Sequence, residues 1–68
     1  MSADDDHLNK ARHYAEEAQR LVWEQKGRIA RLRAAGFDTL SAEQILRLLE
    51  ANLKIFQEHR RSLEPKED

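Results

Sequence analysis

The sequence predicts an all-α protein: an antiparallel two-helix hairpin that completes its core by pairing with a second copy or another partner. Three observations predict it. Apolar residues recur at alternating steps of three and four along two long segments, and the break between these segments is short. Only two glycines and one proline interrupt the 68 residues. Charged residues make up 37% of the chain, which is typical of long exposed helices and coiled coils.

The first helix is predicted over residues 4–35. Three aspartates at positions 4–6 suit the positive end of a helix dipole, and Ser2 or one of them can cap the helix. An apolar seam with a period of 3.5 residues follows. It consists of Leu8, Ala11, Ala15, Ala18, Val22, Gln25, Ile29 and Leu32. Gly36 is expected to end the helix in the left-handed conformation, with Phe37 folded back onto it.

The second helix is predicted over residues 42–63, after a turn at residues 36–41 and before a frayed tail at residues 64–68. Ser41 and Gln44 have the spacing of a capping box, and Leu40 and Ile45 that of a hydrophobic staple. Pro65 is expected to end the helix. The seam of this helix comprises Leu46, Leu49, Leu53, Phe56 and Leu63, with Ile45, Leu48 and Ile55 beside it.

The short connection makes the two helices antiparallel neighbours. Matching their seams outward from the turn predicts a register. It pairs Leu32 with Ile45 and Leu46, Ile29 with Leu48 and Leu49, Val22 with Phe56, and Tyr14 or Ala15 with Leu63. The same register places Gln25 opposite Asn52 and Leu53. This polar pair either fixes the register at a cost in stability, or both amides tilt out to water.

A second layer of helices is expected, because two helices cannot bury all of these apolar side chains. The first helix carries a shallow stripe of small residues beside Trp23 that would admit another helix; alternatively, Trp23 lies flat on its own helix. The predicted partner interface comprises Trp23, Gly27, Ala30, Ala34, Leu46, Leu48, Leu53 and Ile55. The simplest product is a two-fold homodimer that forms a four-helix bundle.

Catalytic and cofactor signatures are missing from the sequence, so we expect neither an enzyme nor a bound cofactor or metal. His13 and Glu17 share a helix face, but two ligands do not make a metal site. His59 is expected to be a semi-buried polar residue rather than a base. No apolar run is long enough to span a bilayer, the net charge is −1, and a cytoplasmic location with no membrane partner is the default expectation.

A basic cluster in the first helix raises the possibility of nucleic-acid binding. Arg20, Arg28 and Arg31 are expected to project from the side opposite the seam, and a dimer would display them twice. Favourable pairing with the helix dipole explains the cluster equally well. The function predicted first is therefore a non-catalytic helical interaction or regulatory module. A small dimeric nucleic-acid-binding protein is the alternative.

Residues 29–39 read Ile-Ala-Arg-Leu-Arg-Ala-Ala-Gly-Phe-Asp-Thr, and Ala42, Leu46, Leu49, Leu53 and His59 follow. This pattern resembles a group of short uncharacterised bacterial proteins, common in alphaproteobacteria, in which a basic helix ends at a Gly-x-Asp-Thr turn before a leucine-rich helix. The resemblance implies a helical hairpin and no activity. In size and layout alone the chain also resembles the plasmid copy-number regulator Rop, a dimeric RNA-binding four-helix bundle.

Overall fold

Two helices make up the protein. The structure, a computed structural model, describes residues 3–64. Helix α1 spans Ala3–Ala34, helix α2 spans Leu40–Leu63, and the two pack against each other as a hairpin. This confirms the predicted all-α hairpin. The cap predicted at Ser2 and residues 65–68 of the predicted tail lie outside the described residues, whereas Glu64 is the C-cap of α2.

Helix α1 ends where the sequence predicts. Gly36 has a φ of 82°, its N–H donates to the Arg33 oxygen at 3.0 Å, and the Phe37 N–H donates to the Leu32 oxygen at 2.9 Å. These two bonds form a Schellman motif, which satisfies carbonyl groups that the last turn would otherwise leave open. The main-chain N–H of Phe37 therefore bonds back to α1, whereas its side chain, which was expected to fold back as well, stays exposed.

The start of α2 differs from the prediction. The helix begins at Leu40, so Ser41 lies inside its first turn and does not cap it. Thr39 stands at the N-cap position without a capping hydrogen bond from its side chain; Asp38, one residue earlier, supports the start of the helix instead, because its Oδ1 accepts the Leu40 N–H at 3.0 Å as in an Asx turn. The first helical bond then runs from the Glu43 N–H to the Thr39 oxygen at 2.8 Å. An aspartate competes well for a free N–H at a helix start, and here it lies three residues before the predicted serine.

The core between the helices is thin and rich in alanine. The buried apolar residues are Ala11, Ala15, Ala18, Val22, Ile29 and Ala42. The seam leucines of α2 are only half-buried, and no large side chain between residues 6 and 64 is fully buried. Small side chains on α1 let the helices approach closely, but they also bury little apolar area for each residue that folding must order.

Two contacts between the helices correct the predicted register, by eight residues at Phe56 and by ten residues at Gln25, or about two to three helical turns. Tyr14 stacks on Phe56, with ring centroids 5.9 Å apart, whereas the prediction paired Phe56 with Val22. Gln25 is buried and its Nε2 donates to the Ala42 oxygen at 2.8 Å instead of facing Asn52. An alanine face gives little steric preference for one register. A buried amide that needs an acceptor and an aromatic pair therefore have more influence on it than the matching of apolar seams.

Candidate interaction surfaces

One side of α2 presents a row of exposed residues with the spacing of a second seam. We call it the α2 strip: Ile45, Leu48, Asn52, Ile55 and His59. All five are exposed, and the exposed fraction reaches 67% for Leu48 and 61% for Ile55. Their alternating steps of three and four are those of the a and d positions of a coiled coil. The strip lies about 100° around α2 from the buried Ala42.

The charges of α2 are confined to its other side. At about 100° per residue, six of its seven charged side chains fall in one arc, on average about 120° from Ala42 in the direction away from the α2 strip. These are Glu43, Arg47, Glu50, Lys54, Glu58 and Arg61. The seventh, Arg60, is half-buried and hydrogen-bonds Glu64 at 3.1 Å. The outer surface of α2 is thus divided into a charged half and an uncharged, largely apolar half.

Helix α1 contributes two exposed apolar residues to the same side of the hairpin. Tyr14 and Leu21 are both exposed, and Tyr14 reaches Phe56 on the same side of the hairpin as the α2 strip. Leu21 lines a groove there together with Gln25 and Leu49, and the charged Glu24, Arg28 and Arg31 line the same groove. We call the α2 strip together with Tyr14 and Leu21 the apolar face. Exposed apolar patches of this extent on a small protein mark interaction surfaces.

The predicted interface residues of α1 lie on the opposite side of the hairpin. Trp23 is 72% exposed, and Ala30 and Ala34 are also exposed. Ala30 lines a groove with Lys26, Arg33 and Glu43, which is the charged side of α2. Gly27 is half-buried, and a methyl group there would meet only the Arg31 Nη1, at 3.6 Å.

The predicted partner interface is therefore divided among three locations. Leu48 and Ile55 belong to the apolar face, whereas the Trp23 stripe (Trp23, Gly27, Ala30 and Ala34) lies across the molecule from it. Leu46 and Leu53 are half-buried, and Leu46 lines a groove with Ile29 of α1. A single flat partner cannot contact the apolar face and the Trp23 stripe at once.

The basic cluster is partly neutralised. Arg20 is held between Glu17 at 2.7 Å and Glu24 at 2.9 Å. The hydrogen bond from Arg20, reinforced by its charge, lowers the pKa of Glu17, and the same contact raises the pKa of Arg20. Arg28 and Arg31 line the groove beside Leu21 and Leu49. They therefore lie at the edge of the apolar face.

Clusters of metal-ligating side chains are missing from the described part of the chain. His7, His13 and His59 are exposed, and no three histidine or acidic side chains among the described residues come together as metal ligands. The Ser62 hydroxyl donates to the His59 main-chain oxygen at 2.7 Å and so has no base beside it. Neither α1 nor α2 is long and apolar enough to cross a membrane.

The sequence left open whether Asn52 lies in the intramolecular seam or tilts out to water, and the structure places it on the exposed α2 strip. The exposed strip could have been found from the sequence. Ile45, Leu48, Asn52 and Ile55 have the same spacing as the residues of the inner seam, each one position earlier in the chain. Fold and surface together define the class: an α-helical hairpin with one exposed apolar face. No protein-family model, curated protein or solved structure matches the chain.

Proposed function

We propose that this chain is a non-catalytic helical interaction or regulatory module that acts through self-association or partner binding. The observation that carries the proposal is the apolar face, where Leu48 and Ile55 are more than half exposed beside Tyr14 and Leu21. Each large aliphatic side chain moved from water into an interface contributes about 1.5–3 kcal/mol. A surface of this kind is costly to keep in water unless something covers it.

Self-association into a two-fold dimer, with four helices in one bundle, is the simplest form of this function. The thin alanine core supports it, because domains of this size need an additional source of buried area. A second hairpin on the apolar face would supply that area. Folding and association would then be coupled, so the melting temperature would depend on protein concentration.

Sedimentation of the purified protein over a range of micromolar concentrations tests the proposal. We expect a dimer whose melting temperature rises with concentration. Leu48→Gln should weaken it by about tenfold or more, since the substitution removes an exposed apolar anchor from the face. Glu50→Gln is the matched control, because it places the same side chain on the charged side of α2. A monomer with a concentration-independent melt, and no partner recovered through Leu48, contradicts the proposal.

Nucleic-acid binding is the second candidate function, and the positions of Arg28 and Arg31 favour it. Neither arginine makes an ion pair among residues 6–64, and both line one groove. A dimer would present this pair twice. Gel shifts with RNA and DNA at increasing salt test the idea, because release of counterions makes phosphate binding fall steeply with salt. Arg28→Gln should weaken binding more than Arg20→Gln, since Arg20 is already engaged by two glutamates.

A further inference from the structure

We infer that the apolar face is covered by a second copy of this chain, whose α2 strip packs antiparallel against the first α2 strip with Asn52 close to the two-fold axis. The inference rests on the proposed self-association and specifies its surface and its orientation. It excludes the Trp23 stripe from the contact between copies and leaves that stripe on the outside of the assembly.

The composition of the α2 strip matches a copy of itself. Ile45, Leu48 and Ile55 occupy seam positions, with the amide of Asn52 in the middle. A buried amide needs a polar partner, and near a two-fold axis the partner's own Asn52 supplies one. Formally charged side chains lie outside the strip, so a basic or acidic partner helix would lose solvation there without gaining an ion pair.

The side of the hairpin that carries the apolar face has about the footprint that a stable dimer buries. A helix of 24 residues is about 36 Å long, and the hairpin is 20 Å wide. Their product is roughly 700 Å², close to the approximately 800 Å² that each partner buries in a standard protein–protein interface. A copy seated along the full length of α2 therefore reaches the size at which specific dimers form.

The positions of Tyr14 and Leu21 select the antiparallel orientation. A two-fold axis perpendicular to the helices brings both copies of α1 to the same side, where they cover Tyr14 and Leu21. If the two-fold axis instead runs parallel to the helices, the same two strips still meet, but the two α1 helices lie on opposite sides of the dimer. Tyr14 and Leu21 then remain in water. Antiparallel neighbours also align their helix dipoles favourably.

Packing of α2 against α1 of the second copy is the other way to build the same bundle. It brings the uncharged strip against the outer flank of α1. That flank carries charged residues at helical spacing beside Tyr14 and Leu21, namely Lys10, Glu17, Glu24 and Arg28. Because the strip has no charges to offer them, these groups would be desolvated without compensation. In the α2–α2 arrangement this flank of α1 meets the same flank of the second copy, which offers it charges of both signs.

Disulfide trapping in the full chain tests the orientation, and the absence of native cysteines makes single-cysteine variants unambiguous. The variants are Ser41→Cys and Ser62→Cys at the two ends of α2, His59→Cys one turn inside the second end, Asn52→Cys at the centre and Lys54→Cys on the charged side. An antiparallel pair separates two copies of residue 41 by about 30 Å, far beyond the ~7 Å between Cα atoms that a disulfide tolerates.

We expect Asn52→Cys to cross-link to near completion under mild oxidation, and Ser41→Cys and Ser62→Cys each to remain uncross-linked alone. Ser41→Cys mixed with Ser62→Cys or His59→Cys should give the mixed disulfide. Rapid cross-linking of Ser41→Cys with itself overturns the antiparallel orientation. Equal cross-linking of Lys54→Cys and Asn52→Cys, or a dimer that no strip cysteine can trap, overturns the assignment of the face.

Sedimentation of the unmodified chain separates this inference from the proposed function. A dimer with the wrong cross-linking pattern refutes the inference and leaves self-association standing. A strict monomer refutes both self-association and the inference. Circular dichroism of each variant checks its helix content. Asn52→Asp is a second test of the orientation that needs no cysteine. Two carboxylates at the axis should weaken the dimer at least tenfold at neutral pH, with no loss of helix at saturating concentration.

Discussion

The Gln25 side chain donates from Nε2 to the main-chain oxygen of Ala42 at 2.8 Å and so joins the middle of α1 to the first turn of α2. Gln25 is 7% exposed, and it is the one buried polar side chain among residues 6–64. Since a buried amide without a partner is costly, this contact favours the observed register over its neighbours.

Substitution of this glutamine should therefore be destabilising. Gln25→Ala removes one hydrogen bond and leaves a gap in the seam, so we expect a loss of about 1–2 kcal/mol in the free energy of unfolding. Gln19→Ala, at an exposed position of the same helix, is the matched control and should change stability by a few tenths of that amount. Urea denaturation measures both variants. Equal losses would show that helix propensity, and not the contact, accounts for the effect.

The start of α2 should depend on Asp38 and not on Ser41. Asp38→Ala removes the acceptor of the Leu40 N–H, and we expect it to cost about 1 kcal/mol. Ser41→Ala changes an exposed residue within the first turn and should cost close to nothing. Thermal denaturation of the two variants at one protein concentration makes the comparison. A larger loss of stability in Ser41→Ala than in Asp38→Ala would show that Ser41 caps α2, as the sequence predicted.

The two glycines should respond in opposite directions to alanine. Gly36→Ala forces a side chain into the left-handed region at a φ of 82°, which costs about 1–2 kcal/mol. Gly27→Ala, in the interior of α1 with room for a methyl group, should stabilise the chain by up to about 1 kcal/mol. Denaturation in urea measures both. A destabilising Gly27→Ala would mean that another helix approaches α1 closely at this position.

Acid should weaken the link between Glu17 and Arg20. Because the folded-state pKa of Glu17 lies below its ordinary value of 4.5, the pair stabilises the helix above that pH. The contribution is lost as the pH falls through the lowered pKa. Titration of the Glu17 carboxyl by NMR should show the lowered value, and Arg20→Gln should return it to the usual range. A Glu17 pKa that does not respond to Arg20→Gln would place the cause elsewhere.

Trp23 should remain in contact with water when the protein associates. The apolar face and the Trp23 stripe lie on opposite sides of the hairpin, so a dimer formed through the former leaves Trp23 exposed. We expect acrylamide to quench its fluorescence equally well at low and high protein concentration, and Trp23→Ala to leave the dimer intact. If Trp23 became less accessible to acrylamide as the protein concentration rises, the contact between copies would involve the Trp23 stripe instead.

The sequence predicted the elements of the fold well, because they depend on local chemistry. The 3.5-residue period marked both helices, and Gly36 ended the first of them through its own backbone freedom. The seam residues Ala11, Ala15, Ala18, Val22 and Ile29 are all buried as expected. The exposed positions of Leu48 and Ile55 follow from the apolar arc of α2, which is wider than one neighbouring helix can cover.

Only the tertiary structure decided the register and the cap. Several registers bring apolar residues together along an alanine face at similar cost, so the choice depends on where the Gln25 amide finds an acceptor and where Tyr14 meets Phe56. Asp38 and Ser41 can both accept from a free N–H at a helix start, and the path of the chain after Gly36 places Asp38 just before the N-cap Thr39, where its carboxylate accepts the Leu40 N–H. Periodicity specifies which face of a helix is buried, but the position of one helix along another depends on contacts between residues far apart in the chain.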